Sequence, residues 1–206
     1  PELVVDLRLP QNASIHRTDT MAAAFDRILA EDPDVERWST YVGRGAIRFY
    51  LPLDVQLSND FFSQVVIVAK DVDARQRLEK RLEQVLAERF PESVSRVAPL
   101  ELGPPVGWPV QYRVSGPDLG QVRSIALELA AIMAANDELR RVNYDWMEGA
   151  RTVRIDVDQD QARLLGVSSE ALAGIVNTVV TGVPVTQVRD DIYLVNVVAR
   201  ASDGER

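Results

Sequence analysis

SQVVIVAKDVDARQRLEKRLEQVL, residues 63–86, holds two elements in succession. Its opening, Ser63 to Ala69, is a short run rich in β-branched apolar residues, the pattern of a buried strand. Asp73 then stands three residues before Gln76, the spacing of a capping box that opens a helix. Leu78, Leu82, Val85 and Leu86 follow at steps of four, three and one, which gathers them on one side of that helix. Pro91 stops it, and Val94 to Leu100 reads as the next strand.

Toward the N-terminus, Glu2 to Leu9 alternates and is rich in Leu and Val, so it reads as a strand ended by Pro10-Gln11-Asn12. A helix is predicted over Thr18–Ala30, with Met21, Phe25, Ile28 and Leu29 on its core face. Val35–Val42 is predicted as a strand, Gly43-Arg44-Gly45 as a turn and Ala46–Leu53 as the returning strand. Beyond residue 100, Glu101-Leu102-Gly103-Pro104-Pro105-Val106-Gly107 cannot form the interior of a regular element and marks a boundary. The order of elements then repeats. Strands are predicted over Trp108–Ser115, Leu139–Trp146 and Thr152–Val157, with a turn at Glu148-Gly149. Asp118 and Gln121 open a helix carrying Val122, Ile125, Leu129, Ile132 and Met133 on one face.

The repeat has a register. At an offset of 104, Met21, Phe25, Ile28 and Leu29 fall on Ile125, Leu129, Ile132 and Met133, and Gly45-Ala46 falls on Gly149-Ala150. Matching helix faces and turns argue for two copies of one architecture. The fold class expected is α+β: two tandem ferredoxin-like split β-α-β units, antiparallel sheets with helices on one face, followed by the start of a small α+β module. That module opens with a short helix over Asp158–Leu165 stopped by Gly166. A second helix follows, capped by Ser168 or Ser169 and ended by Gly182 and Pro184. The strands Val185–Val188 and Ile192–Ala199 then form a hairpin around Asp190-Asp191. The domains expected are 1–100, 101–157 and 158–206.

Composition narrows the function. With 23 basic and 31 acidic residues the chain carries a net charge of −8, and its arginines are scattered. Nucleic-acid binding needs clustered cations to displace counterions, so this is a poor candidate for it. The absence of cysteine excludes disulfides, thiolate zinc sites and cysteine nucleophiles. His16, the lone histidine, has neither cysteine nor a second histidine to complete a typical zinc site. No nucleophile-elbow pattern accompanies it. Asp158 and Asp160 sit two apart, point to different sides of a helix and are explained by capping. Gly43-Arg44-Gly45 joins two strands, so it offers no helix N-terminus to a phosphate. No enzyme activity and no cofactor are expected. No apolar run approaches the ~20 residues of a membrane-spanning helix, and the chain reads as a water-facing segment of a longer protein. Trp38, Tyr41, Arg44 and Arg48 flank the first turn, and Trp108, Tyr112, Tyr144 and Trp146 flank the second unit. Two readings stand for these aromatics: core packing, or the lining of a cleft between the units.

Three stretches resemble the porter region in the second half of resistance–nodulation–division (RND) efflux pumps, in the hydrophobe/amphiphile exporter branch typified by AcrB, AcrD and AcrF. The first is Pro1 to Pro10 followed by Ala13-Ser14. The second is Glu101-Leu102-Gly103 with Gly107 and the aromatic segment after it. The third is Ile155-Asp156-Val157-Asp158 with Ala162, Leu165-Gly166-Val167-Ser168 and Gly182. Together they cover the whole chain in the family's order. The resemblance implies a proton-driven pump in the inner membrane of a Gram-negative bacterium. It further implies a homotrimer working with a periplasmic adaptor protein and an outer-membrane channel. Residues 1–100 and 101–157 would belong to two porter subdomains, and 158–206 would begin the docking module.

By position, the resemblance places a switch loop at Gly43, Arg44, Gly45 and Ala46. It assigns substrate contacts to Asp6, Arg8, Arg44, Trp108, Val110, Tyr112, Asn143 and Asp145. The sequence departs from the multidrug pattern in offering Ser39, Tyr41, Arg44 and Arg48 where phenylalanines are usual. It also lacks a methionine cluster, since Met21 and Met133 fall on core faces, so a metal-exporting branch is not expected. The other class of function open to this sequence is a free-standing ferredoxin-like module that binds a small molecule or regulates.

Overall fold

The computed structural model describes residues 1–48, 55–100, 107–146, 149, 152–202 and 204. The chain divides into two compact units, Pro1–Arg151 and Thr152–Arg206.

The first unit opens with β1 (Glu2–Arg8), α1 (Ile15–Glu31), β2 (Val35–Val42), β3 (Phe62–Ala69), α2 (Val72–Arg89) and β4 (Val94–Pro99). The strands form one antiparallel sheet in the order β2-β3-β1-β4. Each β-α-β half is therefore split by a strand of the other, which is the ferredoxin-like arrangement expected. Alternation along β1 makes it possible: Leu3, Val5 and Leu7 are fully buried while the residues between them are half-buried. Val65 and Ile67 of β3 stand beside Val5 and Leu3 on the same face. Met21, Phe25 and Leu29 of α1 and Leu78, Leu82 and Leu86 of α2 cover that face and complete the core. Phe25 meets Phe90 edge to face, with ring centroids 6.0 Å apart and an interplanar angle of 83°.

Local signals explain the helix ends, with one correction. Ser14 caps α1 by accepting from the Arg17 amide. The cap of α2 is Asp71, not Asp73: Asp71 is extended, and its carboxylate accepts from the Ala74 amide at 2.7 Å. Asp73 sits in the first turn, where a negative charge suits the helix dipole. The hairpin partner of β2 also differs from expectation. β2 pairs with β3, which follows it after a long connection, and residues 46–48 form no strand. The rest of the predicted Ala46–Leu53 strand lies outside the described residues. β3 presents an apolar run from Val65 to Ala69 and so takes an interior place with a neighbour on each side, leaving β2 at the edge.

The α1–β2 turn is tied to α2 by ion pairs. Arg77 donates to both carboxylate oxygens of Asp34, at 2.6 and 3.2 Å. Arg81 donates to Asp32 at 2.6 Å and to Asp34 at 2.7 Å. The Arg77 hydrogen bond, with that of Arg81, lowers the Asp34 pKa from 3.8 to about 2. A carboxylate whose pKa falls on folding adds stability above its unfolded pKa and loses it as pH drops toward the folded value. Asp34→Asn should therefore lower the melting temperature at pH 6, and the gap from the parent should close between pH 4 and pH 2. Thermal melts across that range check this; a gap independent of pH would mean the ion pairs contribute nothing.

α3 (Leu119–Ala134) begins 104 residues after α1, and its cap, Asp118, stands 104 residues after Ser14. The repeat is thus real in the helix and its cap. The strands predicted around it at Trp108–Ser115 and Leu139–Trp146 do not form among the described residues, nor does the one at Thr152–Val157 in the second unit. Without a sheet to receive it, the predicted core face of α3 stays open: Ile125 and Ile132 are exposed, and Ala130 is its buried residue. Arg141, with φ 57°, reaches Glu83 of α2 at 3.3 Å. The expected boundary at 101–107 lies outside the described residues except for Gly107.

The second unit holds α4 (Gln159–Leu164), α5 (Ser169–Val180) and a hairpin of β5 (Val183–Asp190) and β6 (Tyr193–Ala199). Asp158 caps α4 and Ser168 caps α5, the latter accepting from the Ala171 amide at 3.1 Å. Gly166 adopts φ +67°, and Gly182 adopts φ +91° with its Cα facing β6. A Cβ at Gly182 would come within 2.6 Å of Val198 Cγ1, so the stop after α5 requires glycine. Both strands of the hairpin are exposed along their whole length.

Candidate functional site

The helices cover one face of the four-stranded sheet; the other face carries the polar residues of β1. Asp6 lies in register with Gln64 of β3 on one side and Arg96 of β4 on the other, and Gln64 lies in register with Tyr41 of β2. Because these four are directly opposite across successive strands, they form one row on the face turned away from α1 and α2. Arg8 stands two residues further along β1 on that face and is half-buried.

Gln64 is the centre of the row and is 4% exposed. Its side-chain amide donates to Asp6 Oδ1 at 2.7 Å, and its Oε1 accepts from the backbone N–H of Ala46, also at 2.7 Å. One glutamine thus links the sheet carboxylate to the Gly43–Ala46 turn. The turn is fixed at its other end too: the Gly43 amide donates to Phe62 O at 2.8 Å, and Gly43 O accepts from the Asn59 amide at 3.0 Å. Gly43 needs its glycine for φ +73°. Gly45 needs it for space, since a Cβ there would sit 2.8 Å from Gln56 Cβ and 3.1 Å from Gln64 Oε1. Gly45 and Ala46 are buried while Arg44 projects into solvent.

Two glycines in three residues predict a loop that is mobile or poorly packed. The structure corrects the packing: the glycines serve close approach to the sheet. Neither Gln64 nor Arg96 was a candidate from sequence. The signal available for Gln64 was a long polar side chain at the head of the apolar run Val65–Ala69.

The remaining candidates sit on irregular backbone. Gly107 has φ +66°, and Gln111 Nε2 donates back to Trp108 O at 2.8 Å, so residues 107–111 curl into a turn. Trp108, Val110 and Tyr112 therefore do not share a strand face as expected from their spacing. Trp108 is half-buried, and Val110 and Tyr112 are exposed. Asn143 donates to Arg141 O at 2.8 Å, and Asp145 accepts from the Trp146 amide at 2.9 Å; both stabilise local turns. Among the described residues no ladder brings Asn143 or Asp145 opposite Asp6 and Arg8. What the fold does assemble is Asp6, Gln64 and the Gly43–Ala46 turn, with Arg8, Tyr41 and Arg96 on the same face. Gln64 is buried with both ends of its amide engaged, and the half-buried Asp6, Arg8, Tyr41 and Arg96 around it bring a carboxylate, guanidinium groups and a phenol, groups that orient a polar or charged group by hydrogen bonds.

The sequence profile of the AcrB/AcrD/AcrF family matches residues 2–206. The chain belongs to that family. The resemblance read from the three motif stretches thus holds at the level of the family. Among solved structures, two crystal forms of a heavy metal efflux pump are similar to it. Form II aligns with a TM-score of 0.67 at 19% identity over 100% of this chain. Form I aligns with a TM-score of 0.69 at 19% identity over 99% of it. At that identity the likeness is one of fold. In both, the chain spans 22% of the pump's length. Sequence comparison with curated proteins gives no match. Among the described residues no helix is long and apolar enough to cross a membrane. Met21, one of the residues that argued against a metal-exporting branch, is a core residue of α1, and Met133 is half-buried on α3.

Proposed function

We propose that this family member is the periplasmic part of the second half of a proton-driven pump that exports small amphiphiles. The observation that carries the reading is the family match from residue 2 to residue 206. Residues 1–100 and 101–157 serve as parts of two porter subdomains, and 158–206 begin the module that docks with the rest of the export assembly. The working pump is a homotrimer in the inner membrane of a Gram-negative bacterium, joined by a periplasmic adaptor to an outer-membrane channel. Its proton chemistry lies in other segments, and this part binds and passes cargo without catalysing a reaction. Asp6 and Arg8 on the sheet face, with Arg44 at the tip of the anchored turn, orient the polar end of the cargo. Trp108, Val110 and Tyr112 supply apolar area, and Asn143 and Asp145 add polar contacts. The Gly43–Ala46 turn acts as the switch: the two hydrogen bonds of Gln64 hold it on the sheet in one state and release it in another.

The full-length protein, produced in a Gram-negative strain stripped of its own exporters, provides the test. Tolerance to amphiphilic compounds and to heavy-metal salts would be measured side by side. Arg44→Ala and Trp108→Ala should each reduce amphiphile tolerance several-fold without lowering the melting temperature of the 206-residue chain. Tolerance to metal salts alone would overturn the cargo assignment. An open reading frame without membrane-spanning segments would overturn the pump and favour a free-standing small-molecule-binding or regulatory module. A large loss of stability in Trp108→Ala would move that residue from the site to the core.

A further inference from the structure

On the helix side of the first unit, the start of α1 and the end of α2 enclose a groove of about 590 Å³. Its floor is apolar, built from the nearly buried side chains of Leu9, Met21 and Phe90. Its rim is basic. His16 and Arg17 come from the first turn of α1 and Arg89 from the last turn of α2, and all three are exposed. Arg77 and Arg81, earlier on α2, are both held by carboxylates. Arg17 and Arg89, by contrast, have no ion-pair partner among the described residues. Glu92 is the one acid in the lining.

We propose that this groove binds a small amphipathic anion, an alkyl chain bearing an anionic headgroup. The inference is independent of the pump reading, because the groove lies on the side of the sheet opposite Asp6. The tail would cover apolar surface at the floor, where burial is favourable in proportion to area. The headgroup would meet two free guanidinium groups, whose planar forks suit carboxylate and sulfate oxygens. The partial positive charge at the N-terminus of α1 is offset by the partial negative charge at the C-terminus of α2, so the two guanidinium groups carry the preference for an anion. In a chain of net charge −8 this local reversal of sign is what would select an anion. The size favours a small molecule: ligand sites span roughly 300–1,000 Å³, whereas a stable protein interface buries about 800 Å² on each partner.

The experiment is an NMR titration of the 206-residue chain with dodecanoate below its micelle concentration. Dodecyltrimethylammonium serves as the cationic match and acetate as the bare headgroup. Saturable shifts are expected at the Met21 and Ala24 methyl groups with dodecanoate, and about tenfold weaker binding of the cation. Arg17→Glu combined with Arg89→Glu should raise the dodecanoate Kd about tenfold or more, while the control pair Arg113→Glu with Arg123→Glu leaves it unchanged. Ala24→Trp should fill the groove and abolish the shifts. Equal binding of the cation, a Kd indifferent to the Arg17 and Arg89 reversals, or shifts confined to the exposed hairpin of the second unit would each overturn the proposal. So would the absence of saturable shifts.

Discussion

Phe25→Ala is expected to remove about 3–5 kcal/mol from the stability of the first unit, the usual cost of truncating a buried phenylalanine. Phe25 is fully buried, and its edge-to-face partner Phe90 would lose its packing as well. Domains of this kind are stable by only about 5–15 kcal/mol, so the variant should approach the unfolding threshold at ambient temperature. Urea denaturation of the 206-residue chain measures the loss. The repeat supplies the control. Met21 is a core residue, and Ile125, 104 positions later, is exposed. Met21→Ala should cost about 2–5 kcal/mol, and Ile125→Ala should stay within about 0.5 kcal/mol. Equal costs at the two positions would show that α3 lies in a second packed core and that its open face is wrong.

The second large effect is expected at Gln64. Gln64→Leu keeps the volume roughly constant and removes both hydrogen bonds, leaving the Ala46 N–H without its acceptor at a buried site and taking one donor from the half-buried Asp6 carboxylate. Each such loss costs about 1–3 kcal/mol, more toward the upper end when the group is charged, so a total of roughly 2–4 kcal/mol is expected. Hydrogen exchange at the Ala46 amide should rise in parallel, because that amide is protected by the Gln64 side chain. The Val65 and Ile67 amides, held by the ladder of β3, should change only with global stability. If Ala46 exchanges at the parental rate in Gln64→Leu, the turn is held by something else, and Gln64 has no part in the proposed switch. In the full-length protein, the same substitution should alter export out of proportion to its effect on stability.

Of the residues that the family resemblance assigned to the site, Asp6 and Arg8 share a sheet face, whereas Trp108, Val110, Tyr112, Asn143 and Asp145 lie on irregular backbone. Asp6 and Arg8 were legible as alternate residues of a strand, and alternation told correctly that they share a face. Gln64 and Arg96 join them only because β3 and β4 flank β1 in a particular register, and nothing local in either segment specifies that register. Trp108, Val110 and Tyr112 fit the period of a strand, but a strand exists only when its backbone groups find a partner. Residues 107–111 close on themselves through the Gln111 side chain instead. The glycines of the turn pointed to freedom of movement, while their use is to let the backbone approach Gln56 and Gln64.

By itself the sequence determined the elements whose signals are local. α1 and α2 follow from the period of their apolar residues, α3 from the same period and the cap at Asp118, and α4 and α5 from caps and stopping glycines. β1, β3 and β4 follow from alternation or an apolar run, and the hairpin β5–β6 from its acidic turn. It also determined the family, because three motif stretches fall along the chain in order. Only the tertiary structure decided the pairing. It placed β3 between β2 and β1, left the apolar face of α3 open, and brought Asp6, Gln64 and Ala46 within hydrogen-bond distance. The reason is physical: helix periodicity and capping act over a few residues, whereas ladder bonds join segments far apart in the chain and are chosen by which faces can be buried together.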